Sequence, residues 1–259
     1  MATWFFTYGN EKFKYTKARI KEEAESSGFF DHILVFGPED LDKEFIQKTK
    51  PYISAARGGG YWLWKAFFLK QIFAQMNEGD YCFYIDAGCT VNSAGKKRFS
   101  AYLTMLDSSE SGCLGFALVG FNECEWTNKM TLAYFNSDDS IKKSPQIITG
   151  FIMFKKDHVS GKIIEEFYNI AISRPDLFAD QVSSDELPSF KAHRHDQSIW
   201  SILGKKYNIL QIPDETYGEN MLEKNKVTPD FMSIPFLATR IKDPKRRFLS
   251  GLKRLFYRG

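Results

Sequence analysis

Short apolar runs alternate along the chain with longer segments whose apolar residues recur at helical spacing. Strands are predicted at residues 3–8, 32–36, 80–85, 113–119, 146–154 and 208–212. Helices are predicted at residues 11–26, 38–48, 61–76, 94–106, 158–172 and 196–206. This alternation predicts an α/β fold, with a mostly parallel central sheet flanked by helices.

The strand at residues 80–85 reads as a central strand and ends in Asp86-Ala87-Gly88. Open α/β sheets bind their ligands at the carboxyl ends of the strands, so Asp86 is a candidate ligand-binding residue. Gly88 lets the backbone approach a ligand closely. Asp and Gly are also common where a strand passes into a loop, so the alternative is that these residues only form the turn.

Two further charged residues stand out from their surroundings. Lys65 lies inside an otherwise apolar helix, and a diphosphate or a carboxylate such as Asp86 would explain a cation there. Asp196 opens the last predicted helix, where it either caps the helix or, beside His195, takes part in proton transfer. His193 and His195 point the same way if their segment is extended, and are either structural or flank a ligand.

Aromatic residues precede Lys65 in the same segment. Tyr61, Trp62 and Trp64 either stack on a base or a sugar, or belong to the hydrophobic core.

Composition narrows the class of protein. The chain has 259 residues, of which 43% are hydrophobic, and this is compatible with one α/β domain. The four cysteines match neither a paired metal motif nor a disulfide framework, and the N-terminus does not resemble a signal peptide. No apolar run is long enough for a spanning helix. The expected location is therefore the cytoplasm.

Charge is concentrated near the C-terminus, although the whole chain carries only +3. Residues 240–259 contain eight Lys or Arg residues and one acid, with apolar residues at helical spacing between them. We therefore divide the chain into a domain at 1–235 and a basic amphipathic segment at 236–259. That segment suits the inner face of an anionic membrane, or its apolar stripe packs on the domain. The rest of the chain is acidic and shows no recognition module, so nucleic acid is not an expected partner.

Several short motifs occur together in order. Residues 60–65 read Gly-Tyr-Trp-Leu-Trp-Lys, Asp86-Ala87-Gly88 follows one helix later, and residues 193–198 read His-Arg-His-Asp-Gln-Ser. Over residues 2–212 this set resembles the GT-A glycosyltransferases, and more distantly the glycogenin-like transferases. The resemblance implies a GT-A-like domain that transfers a hexose from a nucleotide-diphosphate sugar, with UDP-sugars favoured, to a glycan or lipid-linked glycan in surface polysaccharide synthesis.

The resemblance also implies roles for individual residues. Asp196 and His195 are the implied catalytic residues. The implied donor-binding residues are Thr7, Tyr8, Arg57, Trp62, Lys65, Asp86, Ala87, Gly88, Thr149, Gly150, His193 and Gln197. Thr149 and Gly150 are expected on a strand, beside the donor sugar.

A metal is implied by the same resemblance. Asp86 matches the first acid of the family's Asp-x-Asp motif and would bind Mn²⁺ or Mg²⁺, but Gly88 replaces the second acid. The related transferases take a further ligand from a later His, and no His follows His195. That ligand is either missing or replaced by Asp214 or Glu215, and the protein either binds the metal weakly or relies on Arg57 and Lys65 instead.

Two other classes of protein remain open. A non-catalytic relative would bind nucleotide sugars or glycans without turnover, and Gly88 favours it. A metal-dependent phosphohydrolase also places an Asp after a central strand, but the second acidic cluster that it needs is missing.

Deleting residues 240–259 is expected to weaken binding to vesicles rich in anionic lipid, because each basic residue near such a surface contributes about 1 kcal/mol. Cosedimentation measures the binding, and vesicles of neutral lipid are the control. Unchanged binding would mean that the apolar stripe packs on the domain.

Overall fold

The computed structural model describes residues 1–217 and 233–241, and these residues form an α/β domain. Within them the strands are β1 (Thr3–Tyr8), β2 (His32–Phe36), β3 (Tyr81–Ile85), β4 (Thr90–Val91), β5 (Cys113–Asn122), β6 (Pro145–Ile147), β7 (Phe151–Lys155), β8 (Leu210–Pro213) and β9 (Phe236–Leu237). The longer helices are α1 (Lys14–Ser27), α2 (Lys43–Thr49), α4 (Trp64–Gln75), α5 (Lys96–Ser108), α9 (His158–Ser173) and α10 (Asp196–Lys206). Short helical turns form α3 (Gly58–Tyr61), α6 (Glu123–Trp126), α7 (Lys129–Tyr134) and α8 (Asp139–Lys142).

Seven of the described strands form the central sheet, in the order β2-β1-β3-β7-β5-β6, with β8 also paired to β5. Strands β1, β2, β3, β5 and β8 run in one direction, and β6 and β7 run in the other. The predicted α/β architecture with a mostly parallel sheet is confirmed. The separate β4-β9 ribbon is antiparallel.

Helices cover both faces of the sheet, as the alternation of side chains along the strands requires. On β1, Phe5 and Phe6 point to opposite faces and belong to different hydrophobic clusters. The Phe6 cluster includes α2, α4, α9 and α10, whereas the Phe5 cluster includes α1 and α5. All five residues of β3 are buried, as expected for the predicted central strand.

Two predicted elements differ from the structure. The predicted strand at 146–154 is two strands, β6 and β7, and Thr149 and Gly150 lie in the bend between them rather than on a strand. The predicted helix at 61–76 begins only at Trp64, because the backbone from Gly58 to Trp62 has positive φ throughout. Three successive glycines permit this left-handed turn, which continues into Tyr61 and Trp62.

The segment 233–241 packs on the domain. Phe236 is fully buried, and β9 pairs with β4. A Cβ on Gly95 would lie 2.3 Å from the Pro235 nitrogen, so this contact is close. Residues 236–241 therefore lie with the domain, although the sequence pattern assigned them to the basic segment. The remainder of that segment, 242–259, is outside the described residues, and so is its predicted helix.

Among the described residues, no helix is long and apolar enough to cross a membrane. The four cysteines, all within those residues, are free thiols.

A buried polar cluster joins α6 to α10. The Glu123 carboxylate is fully buried and accepts hydrogen bonds from Thr127, Gln146, Ser201 and Lys205. The Lys205 side chain is itself only 9% exposed, so Glu123 is the partner that makes its burial tolerable.

Replacing Glu123 with Leu is expected to lower the free energy of unfolding by about 3–5 kcal/mol, because it leaves the Lys205 ammonium buried without its carboxylate. Urea denaturation measures the loss. Asp139→Asn is the control, since it breaks an exposed ion pair with Lys143 and should change stability by less than about 1 kcal/mol. Equal effects of the two variants would contradict the interpretation.

Candidate functional site

A cavity of about 760 Å³ opens at the carboxyl ends of β1 and β3. The predicted site residues that line it are Tyr8, Arg57, Trp62, Lys65, Asp86, Ala87, Gly88, Thr149, Gly150, His193, His195, Asp196 and Gln197. Of the predicted set only Thr7 is absent from the lining, and its side chain is fully buried. The structure thus brings together residues from widely separated parts of the chain.

Lys65 occupies the floor of this cavity. Its ammonium lies 2.7 Å from the Asp196 carboxylate, 2.9 Å from the Thr149 carbonyl oxygen and 3.6 Å from the Asp86 carboxylate. Burial opposes its charge, but the attraction of Asp196 and then of Asp86 prevails, and the pKa of Lys65 is raised. Lys65 is therefore a cation that ties α4 to α10 and to the end of β3.

Asp196 does not cap α10, so the interpretation as a plain helix cap is wrong. The residue in the N-cap position is His195, which makes no side-chain capping bond, and Asp196 is the first helical residue. Its carboxylate is directed to Lys65 instead. Together they form an ion pair with both side chains at most 5% exposed, at the wall of a cavity.

Asp86 is more accessible, with a side chain that is 41% exposed. One of its oxygens accepts a hydrogen bond from the Tyr84 hydroxyl. Its amide donates to the Gly150 carbonyl oxygen at 2.9 Å, which fixes the loop after β3 against the start of β7. The carboxylate is consequently held at the cavity surface, where a ligand can reach it.

Burial is the main reason that the charged form of both histidines is disfavoured and the pKa of each is lowered. His195 Nδ1 bonds the Phe178 carbonyl oxygen at 2.8 Å and therefore donates, while Nε2 accepts from the Arg57 guanidinium at 2.9 Å. The His193 ring bonds the Leu177 carbonyl oxygen at 2.8 Å and accepts from the Asn128 amide at 3.3 Å. With both ring nitrogens engaged, each histidine anchors the cavity wall in this arrangement.

The backbone at His195 is unusual. Its φ of 55° lies in the left-handed region, which is unfavourable for a residue with a side chain. The Trp62 ring stacks on the His195 ring with centroids 5.1 Å apart. This packing and the two hydrogen bonds hold the turn that places Asp196 beside Lys65.

The tryptophans predicted either to stack on a base or a sugar or to lie in the core differ in how deeply they are buried. Trp64 is buried and stacks on Tyr8 with centroids 3.9 Å apart, so it belongs to the core, and it also lines the cavity. Trp62 is only partly buried and lines the cavity.

Sequence reasoning missed several residues of the cavity. Asn10, Lys12, Trp126, Arg194, Tyr217 and Arg240 all line it. Lys12 lies in the loop after β1 and Arg194 lies within the His-Arg-His motif, so the sequence offered a signal for both. The sequence pattern places Arg240 in the basic amphipathic segment, and nothing in the local sequence indicates that it lines the cavity.

The lining of the cavity carries more cations than carboxylates, five against two, and one of the cations, Arg57, also pairs with Asp180 at 3.3 Å. The cations are Lys12, Arg57, Lys65, Arg194 and Arg240, and the carboxylates are Asp86 and Asp196. A concave site with this balance attracts anionic ligands.

A metal at Asp86 would need further ligands. No group of three His, Cys, Asp or Glu side chains in the described part of the chain is arranged to hold an ion. Glu215, a suggested substitute ligand, instead pairs with Arg98 and Tyr102, and Asp214 bonds the Thr216 amide. Of the two carboxylates that line the cavity, Asp196 pairs with Lys65 at 2.7 Å and Asp86 has the same ammonium 3.6 Å away, which is a poor environment for a second cation.

Comparisons with known proteins give structural likenesses alone. No family model and no curated protein matches the chain. A glycosyltransferase involved in glycosylation of the major capsid of PBCV-1 is 11% identical, with a TM-score of 0.45, and covers 92% of this chain and 94% of its own. Mouse xyloside xylosyltransferase 1 is 10% identical, with a TM-score of 0.47 and coverage of 93% and 99%.

The glycosyltransferase GlyE of Streptococcus pneumoniae is 12% identical, with a TM-score of 0.47, and the match covers 94% of this chain but only 55% of GlyE. All of these TM-scores lie below 0.5, so the functional argument rests on the residues of this chain.

The neutral state of His193 predicts a pH dependence of stability. Burial, with a smaller effect of His195, lowers the pKa of His193 from 6.5 to about 3. The unfolded chain therefore binds a proton below pH 6.5 that the folded protein excludes, and stability present above pH 6.5 is lost as the pH falls. At pH 5 this loss amounts to about 2 kcal/mol.

His193→Gln is expected to show a smaller decrease in the free energy of unfolding between pH 7 and pH 5 than the wild type. Urea denaturation at both pH values measures it. His158→Gln, at the exposed start of α9, is the matched loss of an imidazole. An unchanged pH dependence in His193→Gln would refute the assignment.

Proposed function

We propose that the protein is a glycosyltransferase that transfers a hexose from a nucleotide-diphosphate sugar to a hydroxyl of a glycan or lipid-linked glycan. The observation that carries the proposal is the buried Lys65–Asp196 pair beside Asp86, in a positive cavity at the carboxyl edge of the sheet. The order of the sequence motifs, which resembles that of GT-A glycosyltransferases, is the second support.

The cavity offers contacts for the diphosphate, the base and the sugar of such a donor. The diphosphate requires positive charge, which Lys12, Arg57, Arg194 and Arg240 supply around the entrance. Tyr8, at the end of β1, and Gly59 both line the cavity. We assign the base to the end of β1 near Tyr8, and the sugar to the side of Asp86 and Gly150.

The reaction breaks the bond between the anomeric carbon and the diphosphate oxygen, and the nucleoside diphosphate leaves with the electron pair. An acceptor hydroxyl forms the new bond to the anomeric carbon and loses its proton to the departing diphosphate. Positive charge develops on the sugar ring, and the Asp196 carboxylate is the group that we assign to stabilise it. Lys65 fixes the position of Asp196, and His195 fixes the turn before it.

A panel of nucleotide sugars, tested with and without Mn²⁺, examines the proposal. A donor should raise the melting temperature and be slowly hydrolysed by the protein. Stabilisation without hydrolysis or transfer would favour the non-catalytic binding protein. The absence of any response would overturn the assignment.

Asp196→Asn is expected to lower the rate of hydrolysis or transfer by about 100-fold or more, because it removes a negative charge at the reacting centre. Asp86→Asn should act in the same direction, chiefly by weakening the binding of the donor. Asp139→Asn, on an exposed helical turn outside the cavity, is the control and should retain full turnover. Full turnover by both Asp86→Asn and Asp196→Asn would show that the reaction, if any, occurs elsewhere.

A further inference from the structure

The loop after β3 is covered on the side where the related motif carries its second acid. The Gly88 carbonyl oxygen accepts hydrogen bonds from the Ile241 amide at 2.8 Å and from the Thr239 hydroxyl at 3.1 Å. A Cβ on Gly88 would lie 3.5 Å from the Ile241 carbonyl oxygen and 3.6 Å from the Arg240 Cα. Both are ordinary van der Waals distances, so this segment lies in direct contact with the position that the second acid would occupy.

The same segment brings a guanidinium to the cavity. Arg240 lines the cavity together with Asp86 and Gly88. Its Nη2 donates to the Tyr217 hydroxyl at 2.6 Å, and its guanidinium lies over the Tyr217 ring at 5.2 Å. The pKa of Arg240 is raised, mainly by Tyr217, and the Asp86 charge contributes as well. Arg240 is therefore a positioned cation, close enough to Asp86 for their charges to interact.

Arginine is suited to the task that a divalent cation performs in such a site. Its planar guanidinium has five N–H donors, enough to bind two phosphate oxygens while one donor remains on Tyr217. It also retains its charge at any physiological pH. A divalent cation, in contrast, would meet Lys65 near its one carboxylate ligand.

We propose that the Arg240 guanidinium occupies the place of the divalent cation and neutralises the donor diphosphate, so that donor binding is independent of metal. This inference rests on the proposed function, since it concerns the diphosphate of the same donor. It replaces the expectation of Mn²⁺ or Mg²⁺ at Asp86 with charge supplied by the chain itself.

Titration calorimetry with UDP and GDP, each compared with its monophosphate in the presence of EDTA, tests the proposal on the full-length protein. The wild type should bind a diphosphate more tightly than its monophosphate without metal. Arg240→Ala should lose about 10- to 100-fold of affinity for the diphosphate, as expected for a hydrogen-bonded charge pair. Affinity for the monophosphate should change much less.

Two further variants make the result specific. Arg240→Lys keeps the charge but not the planar fork, and should fall between the wild type and Arg240→Ala. Arg174→Ala is the control, because Arg174 pairs with Asp176 away from the cavity, and it should bind like the wild type. Thermal melting establishes that each variant is folded.

The results that would contradict the role of Arg240 differ from those that would contradict the proposed function. Diphosphate binding by the wild type that requires Mn²⁺, or wild-type affinity in Arg240→Ala, would overturn the role of Arg240 and leave the proposed function intact. Absence of nucleotide binding, with or without Mn²⁺, would instead overturn the proposed function.

Discussion

The ion pair between Lys65 and Asp196 is the interaction on which the site depends. Lys65 lies on a helix packed against the sheet, and Asp196 begins the last long helix, 131 residues later. Burying either charge alone would be strongly unfavourable, so each helix start is constrained by the other. The same ammonium bonds the Thr149 carbonyl oxygen and lies near Asp86, which brings four segments of the chain to one point.

Around this pair the backbone adopts conformations that ordinary residues avoid. The turn from Gly58 to Trp62 is left-handed, and His195 also has a positive φ. Each is held by specific contacts, since Trp62 stacks on His195 and Arg57 donates to the His195 ring. Strain of this kind persists only where the surrounding structure imposes it, and it is concentrated here at the cavity.

Hydrogen bonds outside the cavity hold the segments that form its wall. Gln197 donates to Gln146, which in turn donates to the buried Glu123 carboxylate. On the opposite face of the sheet, Arg19 donates to the Ala87 and Cys89 carbonyl oxygens and so holds the loop that follows Asp86. The cavity wall is thus built on rigid elements on both sides, which favours a fixed arrangement of charge.

The sequence by itself determined the α/β class, most of the strands and helices, and many of the residues that meet at the cavity, because the period of apolar residues and the order of motifs are local properties. Lys65 was recognisable because a cation in an apolar helix requires a partner. Only the tertiary structure decided which partner that is, that both histidines are neutral, and that Arg240 folds back beside Asp86. These features depend on contacts between segments far apart in the chain, which no local pattern encodes.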